Sequence, residues 1–206
     1  MRTLPIMLNL AGRQAVIVGG GPVALHKVRA LRQAGAAIRL VAPEIVEGAD
    51  LAGIEVIRRP WQAEHLRGAV VVFACTDDRQ CNARIVREAR RLGALANAAD
   101  QPEDCDFLVP AIVADGDVVI AVSTGGTAPA LAVRLRDRLA SAMADRIGQF
   151  AALLGTIRLE LKSQVPDPAR RRAILAELAD EPTYRCFASG GEPAVRTRLE
   201  AILARE

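Results

Sequence analysis

A run of three glycines between an apolar segment and a helical pattern constrains this chain more than any other feature of its sequence. Residues 15–18 are apolar, and Gly19, Gly20 and Gly21 follow them directly. Gly19, Gly21 and Ala24 match the G-x-G-x-x-G/A pattern of a dinucleotide-binding turn. In that pattern the first glycine permits the turn and the second lets the backbone approach a pyrophosphate. The third small residue lets the helix pack closely against the strand.

The same pattern also occurs in strand-to-helix turns that bind nothing, so its position in the chain has to decide. A strand pattern precedes the glycines, a helical pattern follows them, and another apolar strand begins after Gly35. The N-terminus of the helix would offer free N–H groups and the positive end of its dipole to an anion. The context therefore favours a nucleotide-binding turn.

The composition is that of a soluble globular protein and argues against several kinds of partner. Of the 206 residues, 51% are hydrophobic and 25% are charged. No apolar run approaches the ~20 residues that span a bilayer, and the short N-terminal stretch leads straight into the first strand. A net charge of +3 and an aromatic content of 3% argue against nucleic-acid binding. We expect a cytoplasmic protein with no membrane or nucleic-acid partner.

The cysteines and histidines form no pattern typical of a metal centre or a nucleophilic enzyme. No C-x-x-C occurs, so a zinc site is not expected and the cysteines should be reduced thiols. The four cysteines are Cys75, Cys81, Cys105 and Cys186. His26 and His65 form no ligand cluster, and His26 belongs with Lys27 and Arg29 to a basic helix surface near the predicted cleft. Any chemistry is therefore expected to belong mainly to a cofactor.

Alternating strand and helix patterns over the first half of the chain predict an α/β fold with a parallel sheet. Strands are predicted over 14–19, 37–42, 54–58, 69–75 and 94–97, and helices over 22–34, 62–66 and 79–92. Ligands of such sheets bind outside the carboxyl ends of the strands. The segments expected at that edge are 19–21, 41–44, 76–78 and 97–100.

From residue 106 the pattern changes to a hairpin followed by helices. Two apolar strands meet at 114–117, where Asp-Gly is a typical hairpin turn. Antiparallel strands added to a parallel sheet would suit pairing between subunits. Helices are predicted over 127–142, 145–163, 167–179 and 191–205. The segment PDPARRR, which starts at residue 166, and a break at 188–191 separate them. Thr127 is the expected N-cap of the first; a second anion site there is possible, but an ordinary capped helix is the simpler interpretation.

Two acidic residues are candidates at the predicted cleft. Asp100 follows the last strand, where a carboxylate is well placed to transfer a proton, although a turn-forming Asp is the common alternative. Glu44 is the first carboxylate after the second strand, rather late for the ribose contact of the usual fingerprint. Arg39 lies within that strand and is poor support for NADP. Arg134 and Arg138 share a helix face. They could contact a polyanionic substrate or a neighbouring subunit, although a solvated face is the usual interpretation of such charges.

The order and spacing of several motifs resemble a known family. They are LPIMLNLAGRQAVIVGGGPVALHKV (4–28), ACTDD (74–78), ANAAD (96–100), DFLVPAIV (106–113) and VSTGGTAPALAVRLRD (122–137). The chain resembles the N-terminal module of siroheme synthase and its stand-alone relatives, the precorrin-2 dehydrogenases, many of which are also sirohydrochlorin ferrochelatases. The likeness extends from residue 4 to about 160, and the last helices match loosely.

The resemblance implies a fold, an activity and a set of site residues. It implies a Rossmann-type NAD-binding domain over 1–113, a dimerisation region over 114–145 and a helical domain over 146–206. It implies a homodimer that oxidises precorrin-2 to sirohydrochlorin with NAD, and Fe²⁺ insertion in the bifunctional members. The cofactor contacts fall on Gly19, Gly20, Gly21, Pro22, Val23, Pro43, Glu44, Thr76 and Asp77. The family's important aspartate falls on Asp100, and Thr124 stands where some members carry a serine that can be phosphorylated.

Three other interpretations remain open. The protein might oxidise its substrate without inserting iron, since some relatives perform only the oxidation. It might be another small NAD-dependent oxidoreductase, which would leave the S-x-G-G-T-x-P helix entry unexplained. A non-catalytic protein that senses NAD or a tetrapyrrole would bind its cofactor without turnover.

Overall fold

A computed structural model describes residues 3–99 and 101–205, and these divide into two compact units. The first unit is Met1–Val109 and the second is Pro110–Glu206. Asp100, the predicted catalytic residue, lies outside the described residues. The boundary falls four residues before the predicted end of the first domain. The predicted three-part division remains a prediction.

The first unit is built on a five-stranded parallel sheet with the order β3-β2-β1-β4-β5. The strands are β1 (Gln14–Val18), β2 (Ala37–Val41), β3 (Glu55–Ile57), β4 (Val71–Ala74) and β5 (Leu95–Ala98). β1 pairs with both β2 and β4, so its apolar residues 15–18 are buried on both faces, as expected of a central parallel strand. This is the predicted α/β class, which is confirmed.

Helices cover both faces of this sheet. The helix α1 (Pro22–Gln33) buries Ala24, Val28 and Leu31, which lie on one side of the helix at intervals of four and three residues. The helix α2 (Arg79–Arg91) buries a similar stripe against the other face. A short 3-10 helix covers Ala63–Leu66, and another covers Pro102–Asp104. The two faces thus form separate apolar cores around one sheet.

The second unit begins with the predicted hairpin, β6 (Ala111–Asp115) and β7 (Val118–Val122). These strands form a two-stranded antiparallel sheet of their own, which confirms the predicted hairpin region after the Rossmann-type domain. Gly116 occupies the turn with φ 56°, a left-handed conformation that favours glycine. The helix α3 (Pro129–Ala142) packs on the hairpin and buries Ala132.

Three further helices form the apolar core of the second unit. They are α4 (Ile147–Gln164), α5 (Pro168–Leu178) and α6 (Glu181–Leu203). The sequence prediction placed the last helix at 191–205, whereas α6 begins ten residues earlier at an Asp180 cap. The predicted break is present as a kink at Gly191, whose φ of 64° interrupts the helix two residues before Pro193.

A close backbone contact joins the hairpin turn to the start of α4. The Asp115 carboxylate accepts a hydrogen bond from the Gly148 N–H at 2.8 Å. A Cβ atom on Gly148 would overlap the backbone carbonyl of Asp115. Glycine at this position is therefore required by space rather than by backbone conformation.

We predict that Gly148→Ala destabilises the second unit by about 1–3 kcal/mol, because the methyl group forces the hairpin away from α4. Urea unfolding followed by circular dichroism measures the change. Gly155→Ala in the same helix is the control, since no atom of the described residues lies within 4 Å of its added Cβ. That control should be neutral or stabilising by up to about 1 kcal/mol. Equal stability of both variants would contradict the packing argument.

Candidate nucleotide-binding site

The glycine turn makes two close backbone approaches at the carboxyl edge of the sheet. Gly19 has φ 126°, and a Cβ atom there would overlap the carbonyl oxygen of Cys75 after β4. A Cβ atom on Gly20 would overlap the carbonyl oxygen of Glu44 after β2. The Val46 N–H also donates to the Gly20 carbonyl at 3.0 Å. These contacts draw the loops after β2 and β4 towards the end of β1.

Gly21 differs from its two neighbours because the space around it is open. No atom of the described residues lies within 4 Å of the position a Cβ would take. Its backbone is extended, with φ −82°, so it is not strained. Free space beside the backbone at the second glycine of this pattern is what the approach of a pyrophosphate requires. The predicted role of Gly21 in cofactor binding stays a prediction that this geometry leaves room for.

The N-terminus of α1 has the properties of an anion site. Gly21 is the N-cap residue, and no side chain among the described residues caps the helix. The first turn contains Pro22 and Val23 but no acidic residue. The first N–H groups of a helix have no intrahelical partner, and the helix dipole places partial positive charge on them. These donors fit the phosphates of a dinucleotide.

The segment after β2 supplies Pro43 and Glu44, both exposed beside the glycine turn. The predicted ribose contact from this segment is thus compatible with the fold, although no acidic residue ends β2 itself. Arg39 is engaged elsewhere: it donates to the Glu55 carboxylate at 2.8 Å and to the His65 carbonyl at 2.8 Å. Arg39 is therefore occupied by structural contacts and does not serve as a phosphate ligand.

The loop after β4 is fixed by a residue that sequence reasoning missed. The buried Asn82 side chain accepts hydrogen bonds from the Thr76 N–H at 3.1 Å and the Thr76 hydroxyl at 2.7 Å. It also donates to the Thr76 carbonyl at 3.0 Å. The Asp78 carboxylate caps α2 by accepting from the N–H groups of Gln80 and Cys81. Asp77, between these two anchors, remains exposed at the edge.

One signal in the sequence pointed to this clamp. Asn82 occupies an inward position of an otherwise apolar helix stripe, and a buried amide needs hydrogen-bond partners. Asn82 follows Thr76 by six residues and lies in the first turn of α2, so its side chain reaches back to the loop ahead of the helix. Thr76 is thereby held in one conformation before any ligand arrives.

The loop after β5 is tied down on both sides of the residue that the structure does not describe. The Cys105 thiol donates to the carbonyl of Ala98 at 3.3 Å and of Gln101 at 3.2 Å, and it accepts from Asn97. Burial raises the pKa of this thiol, so it remains protonated at neutral pH and can act as a donor. The Asp106 carboxylate accepts from the Ala96 N–H and from Arg90. The flanks of Asp100 are therefore rigidly anchored.

The second glycine-rich helix entry, in the second unit, is capped differently from the prediction. Thr127 is not the N-cap of α3; that position is Ala128, which has no side-chain cap among the described residues. The Thr127 hydroxyl donates to the Thr124 carbonyl, and the Thr124 hydroxyl accepts from the Ala128 N–H at 3.1 Å. Thr124 thus stabilises the turn ahead of the helix.

The described residues show neither a metal-binding cluster nor a membrane-spanning helix. No group of three or more His, Cys, Asp or Glu side chains in them lies close enough together to hold a metal ion. None of the helices in the described part of the chain is long and apolar enough to cross a membrane.

Comparison with known families decides what this fold belongs to. A family described as putative NAD(P)-binding matches residues 6–111, just over half of the 206 residues. The chain belongs to that family. The "sirohaem biosynthesis protein central" family matches residues 115–142, and the "sirohaem synthase dimerisation region" family matches residues 146–203. The resemblance to siroheme synthase modules is therefore confirmed along nearly the whole chain.

Individual relatives agree with these families. A siroheme synthase of Azotobacter vinelandii is 38% identical over 208 residues, which cover 99% of this chain and 45% of the relative. One of Pseudomonas aeruginosa is 40% identical over 97% of this chain and 43% of its own length. The chain spans less than half the length of these relatives. A solved structure described as "SirC, precorrin-2 dehydrogenase" is 25% identical with a TM-score of 0.78, covering 97% of this chain and 100% of that one.

We predict that Gly21→Asp weakens NAD⁺ binding at least about tenfold without destabilising the fold. A carboxylate at this position repels phosphates about 4–8 Å away by about 2–4 kcal/mol near a protein surface. Aspartate is also a favoured N-cap, so the melting temperature should stay the same or rise. Calorimetric titration and thermal melting measure the two effects.

Gly21→Asn is the matched control, because it has nearly the same shape and capping ability without the charge. Gly21→Asn should bind NAD⁺ more tightly than Gly21→Asp, because it lacks the charge repulsion with the phosphates. The difference in binding free energy between the two variants measures that repulsion. Wild-type affinity in Gly21→Asp would place the cofactor's phosphates elsewhere.

Proposed function

We propose that this protein oxidises precorrin-2 to sirohydrochlorin with NAD⁺ as the hydride acceptor. The observation that carries the proposal is the open, uncapped helix entry at Gly21 within a chain assembled from siroheme synthase modules. The similarity to a precorrin-2 dehydrogenase over its complete length supports the same reaction. NAD⁺ is preferred to NADP⁺ because Arg39 is already bonded within the sheet and the exposed Glu44 suits free ribose hydroxyls.

In this proposal the residues of the carboxyl edge hold the cofactor. Bound NAD⁺ supplies the nicotinamide that accepts a hydride from the substrate. The N–H groups at the start of α1 bind the pyrophosphate, and the loop containing Pro43 and Glu44 contacts the ribose. Thr76 and Asp77 border the site from the β4 side, where the Asn82 clamp keeps them in position.

The oxidation removes a hydride and a proton from the macrocycle, so a base beside the substrate assists it. We assign the proton to Asp100, because it follows β5 in the sequence and the described residues on both sides of it are held by Cys105 and Asp106. A carboxylate is a suitable general base for this step.

The direct test is turnover by the purified full-length chain. With NAD⁺ and enzymatically generated precorrin-2, the absorbance of NADH and the spectrum of sirohydrochlorin should rise together. Tight NAD⁺ binding without NADH formation would instead support the non-catalytic sensor. NADH formation with other small substrates, but not with precorrin-2, would indicate a different oxidoreductase.

We predict that Asp100→Asn lowers kcat at least about a hundredfold, the usual contribution of a general base. The affinity for NAD⁺ should stay within about twofold of the wild type. Glu103→Gln is the control in the same loop, since Glu103 forms an exposed ion pair with Arg79 and should be dispensable. Near-normal turnover in Asp100→Asn would exclude it as the base.

Iron insertion into sirohydrochlorin is the second activity that we propose, supported by the sirohaem synthase families over 115–142 and 146–203. The tetrapyrrole itself would provide the nitrogen ligands, and Asp100 would accept protons from the pyrrole nitrogens. Sirohydrochlorin and Fe²⁺ with and without the protein test this activity. Equal rates would leave a protein that is only a dehydrogenase.

We further propose that the protein is a homodimer joined through the hairpin and α3, within the predicted dimerisation region 114–145, whereas the family described as a dimerisation region matches residues 146–203. The apolar side chains of these elements are exposed to an unusual degree: Ile112, Val119, Leu131, Val133, Leu135 and Leu139 are 37–49% exposed. Leu131, Leu135 and Leu139 recur every four residues and form one stripe along α3. In the described part of α4 to α6, Leu159 is the one large apolar side chain exposed to this extent.

We predict that Leu131→Glu and Leu135→Glu each raise the dissociation constant of the dimer at least about tenfold, because burial of an unpaired carboxylate is costly. Light scattering coupled to size-exclusion chromatography across a dilution series measures the change. Leu159→Glu on α4 is the control and should leave the dimer intact. Dissociation by Leu159→Glu alone would move the interface to the helical region.

A further inference from the structure

Lys27 is a half-buried cation beside the proposed site that no step described above uses. It lies in the second turn of α1, and its ammonium group sits over the ring of Phe73, 5.5 Å from the ring centroid. Phe73 in turn meets Phe107 edge to face, with the ring centroids 5.4 Å apart. Among the described residues, Lys27 has no carboxylate partner and no hydrogen bond. Within the described part of the chain, its positive charge therefore meets only the face of an aromatic ring.

The position of Phe73 places this ammonium near the carboxyl edge of the sheet. Phe73 is the last residue but one of β4 and pairs with Ile17 of β1 and Asn97 of β5. Helical side chains lean towards the N-terminus of their helix, and the N-terminus of α1 is the glycine turn. The Lys27 side chain therefore extends towards the same edge, on the side where β4 and β5 end.

The aromatic partner of this group is also fixed at that edge. The Asn97 side chain donates to the Phe107 carbonyl at 2.9 Å, which holds the Phe107 backbone beside the end of β5. The Lys27 ammonium consequently covers the buried Phe73, and the half-buried Phe107 lies beside Phe73 near the end of β5. A cation next to a partly exposed ring suits a planar apolar ligand with acidic side chains.

The neighbouring basic residues on α1 do not share these properties. His26 and Arg29 are exposed, whereas Lys27 is half-buried with its ammonium over the Phe73 ring. A charge in partly desolvated surroundings interacts with an opposite charge more strongly than one in bulk water. An anion that reaches Lys27 would thus gain more than one that meets Arg29.

We infer that the Lys27 ammonium binds a carboxylate of the tetrapyrrole substrate and orients the macrocycle against the nicotinamide. This inference rests on the proposed function, whose substrate carries eight carboxylates. The phosphates of the cofactor have their own donors at the start of α1. Lys27 therefore acts on the substrate and contributes little to cofactor affinity.

Three variants of the full-length protein test the inference. Lys27→Met removes the charge and retains an apolar stem, and Lys27→Arg retains the charge. Arg29→Met is the matched control, because it removes an exposed charge from the same helix. The measurements are the affinity for sirohydrochlorin by absorbance titration, the KM and kcat for precorrin-2, and the affinity for NAD⁺ by calorimetry.

Lys27→Met should weaken sirohydrochlorin binding and raise the KM for precorrin-2 by about tenfold to a hundredfold, the usual effect of losing a hydrogen bond to a charged group. NAD⁺ affinity should stay within about twofold, Lys27→Arg should retain most of the binding, and Arg29→Met should resemble the wild type. A purely structural lysine would change the melting temperature but not these ratios. If Lys27→Met does not fold, Lys27→Gln provides the same comparison.

Several results would overturn the inference. Unchanged tetrapyrrole affinity in Lys27→Met excludes the contact, and an equal loss of NAD⁺ affinity assigns Lys27 to the cofactor. If Arg29→Met weakens tetrapyrrole binding equally, the effect of Lys27 comes from the overall positive charge of α1 and not from a specific contact. Wild-type protein that binds sirohydrochlorin without oxidising precorrin-2 contradicts the dehydrogenase proposal while the binding titration still decides the role of Lys27. Wild-type protein that does neither overturns both.

Discussion

The close backbone contact of Gly19 and Gly20 with the two neighbouring loops is the constraint on which the nucleotide-binding edge depends. Because neither glycine carries a Cβ, the carbonyls of Cys75 and Glu44 approach the end of β1 directly. The loops after β2, β1 and β4 therefore converge on one place, and Gly21 is left facing open space. Two of the three glycines serve the protein's own packing, and the third leaves the space that we propose for a ligand.

The different surroundings of the three glycines explain which parts of the site were predictable from the sequence. The strand-glycine-helix pattern was sufficient to locate the turn, the edge of the sheet and the loops beside it. It could not separate Gly20 from Gly21, since the difference comes from a loop more than 20 residues further along the chain. Asn82 was missed for a similar reason: its inward position on α2 indicates a hydrogen-bond partner, but the pattern does not identify that partner as Thr76.

The second unit was predicted less completely, and for physical reasons that differ between its parts. The hairpin was recognisable because its turn chemistry is local. Its separation from the parallel sheet depends on strand pairing, which the sequence pattern does not encode. The start of α6 was missed because Gly190, Gly191 and Pro193 obscure the helical periodicity, while the Asp180 cap and the buried Thr183 and Phe187 hold that helix in place. The helix-breaking residues were thus outweighed by the N-cap of α6 and by the burial of its apolar side chains.

The contact between Asp115 and Gly148 has a consequence for how such chains can be recombined. Asp115 belongs to the segment matched by the central sirohaem family, and Gly148 belongs to the segment matched by the dimerisation family. Each supplies half of one contact: a carboxylate and carbonyl on one side, and a bare backbone N–H on the other. A chimera that exchanges only one of these segments with a relative must preserve both halves. The two segments match separate families by sequence, yet in this chain they are joined by one structural contact.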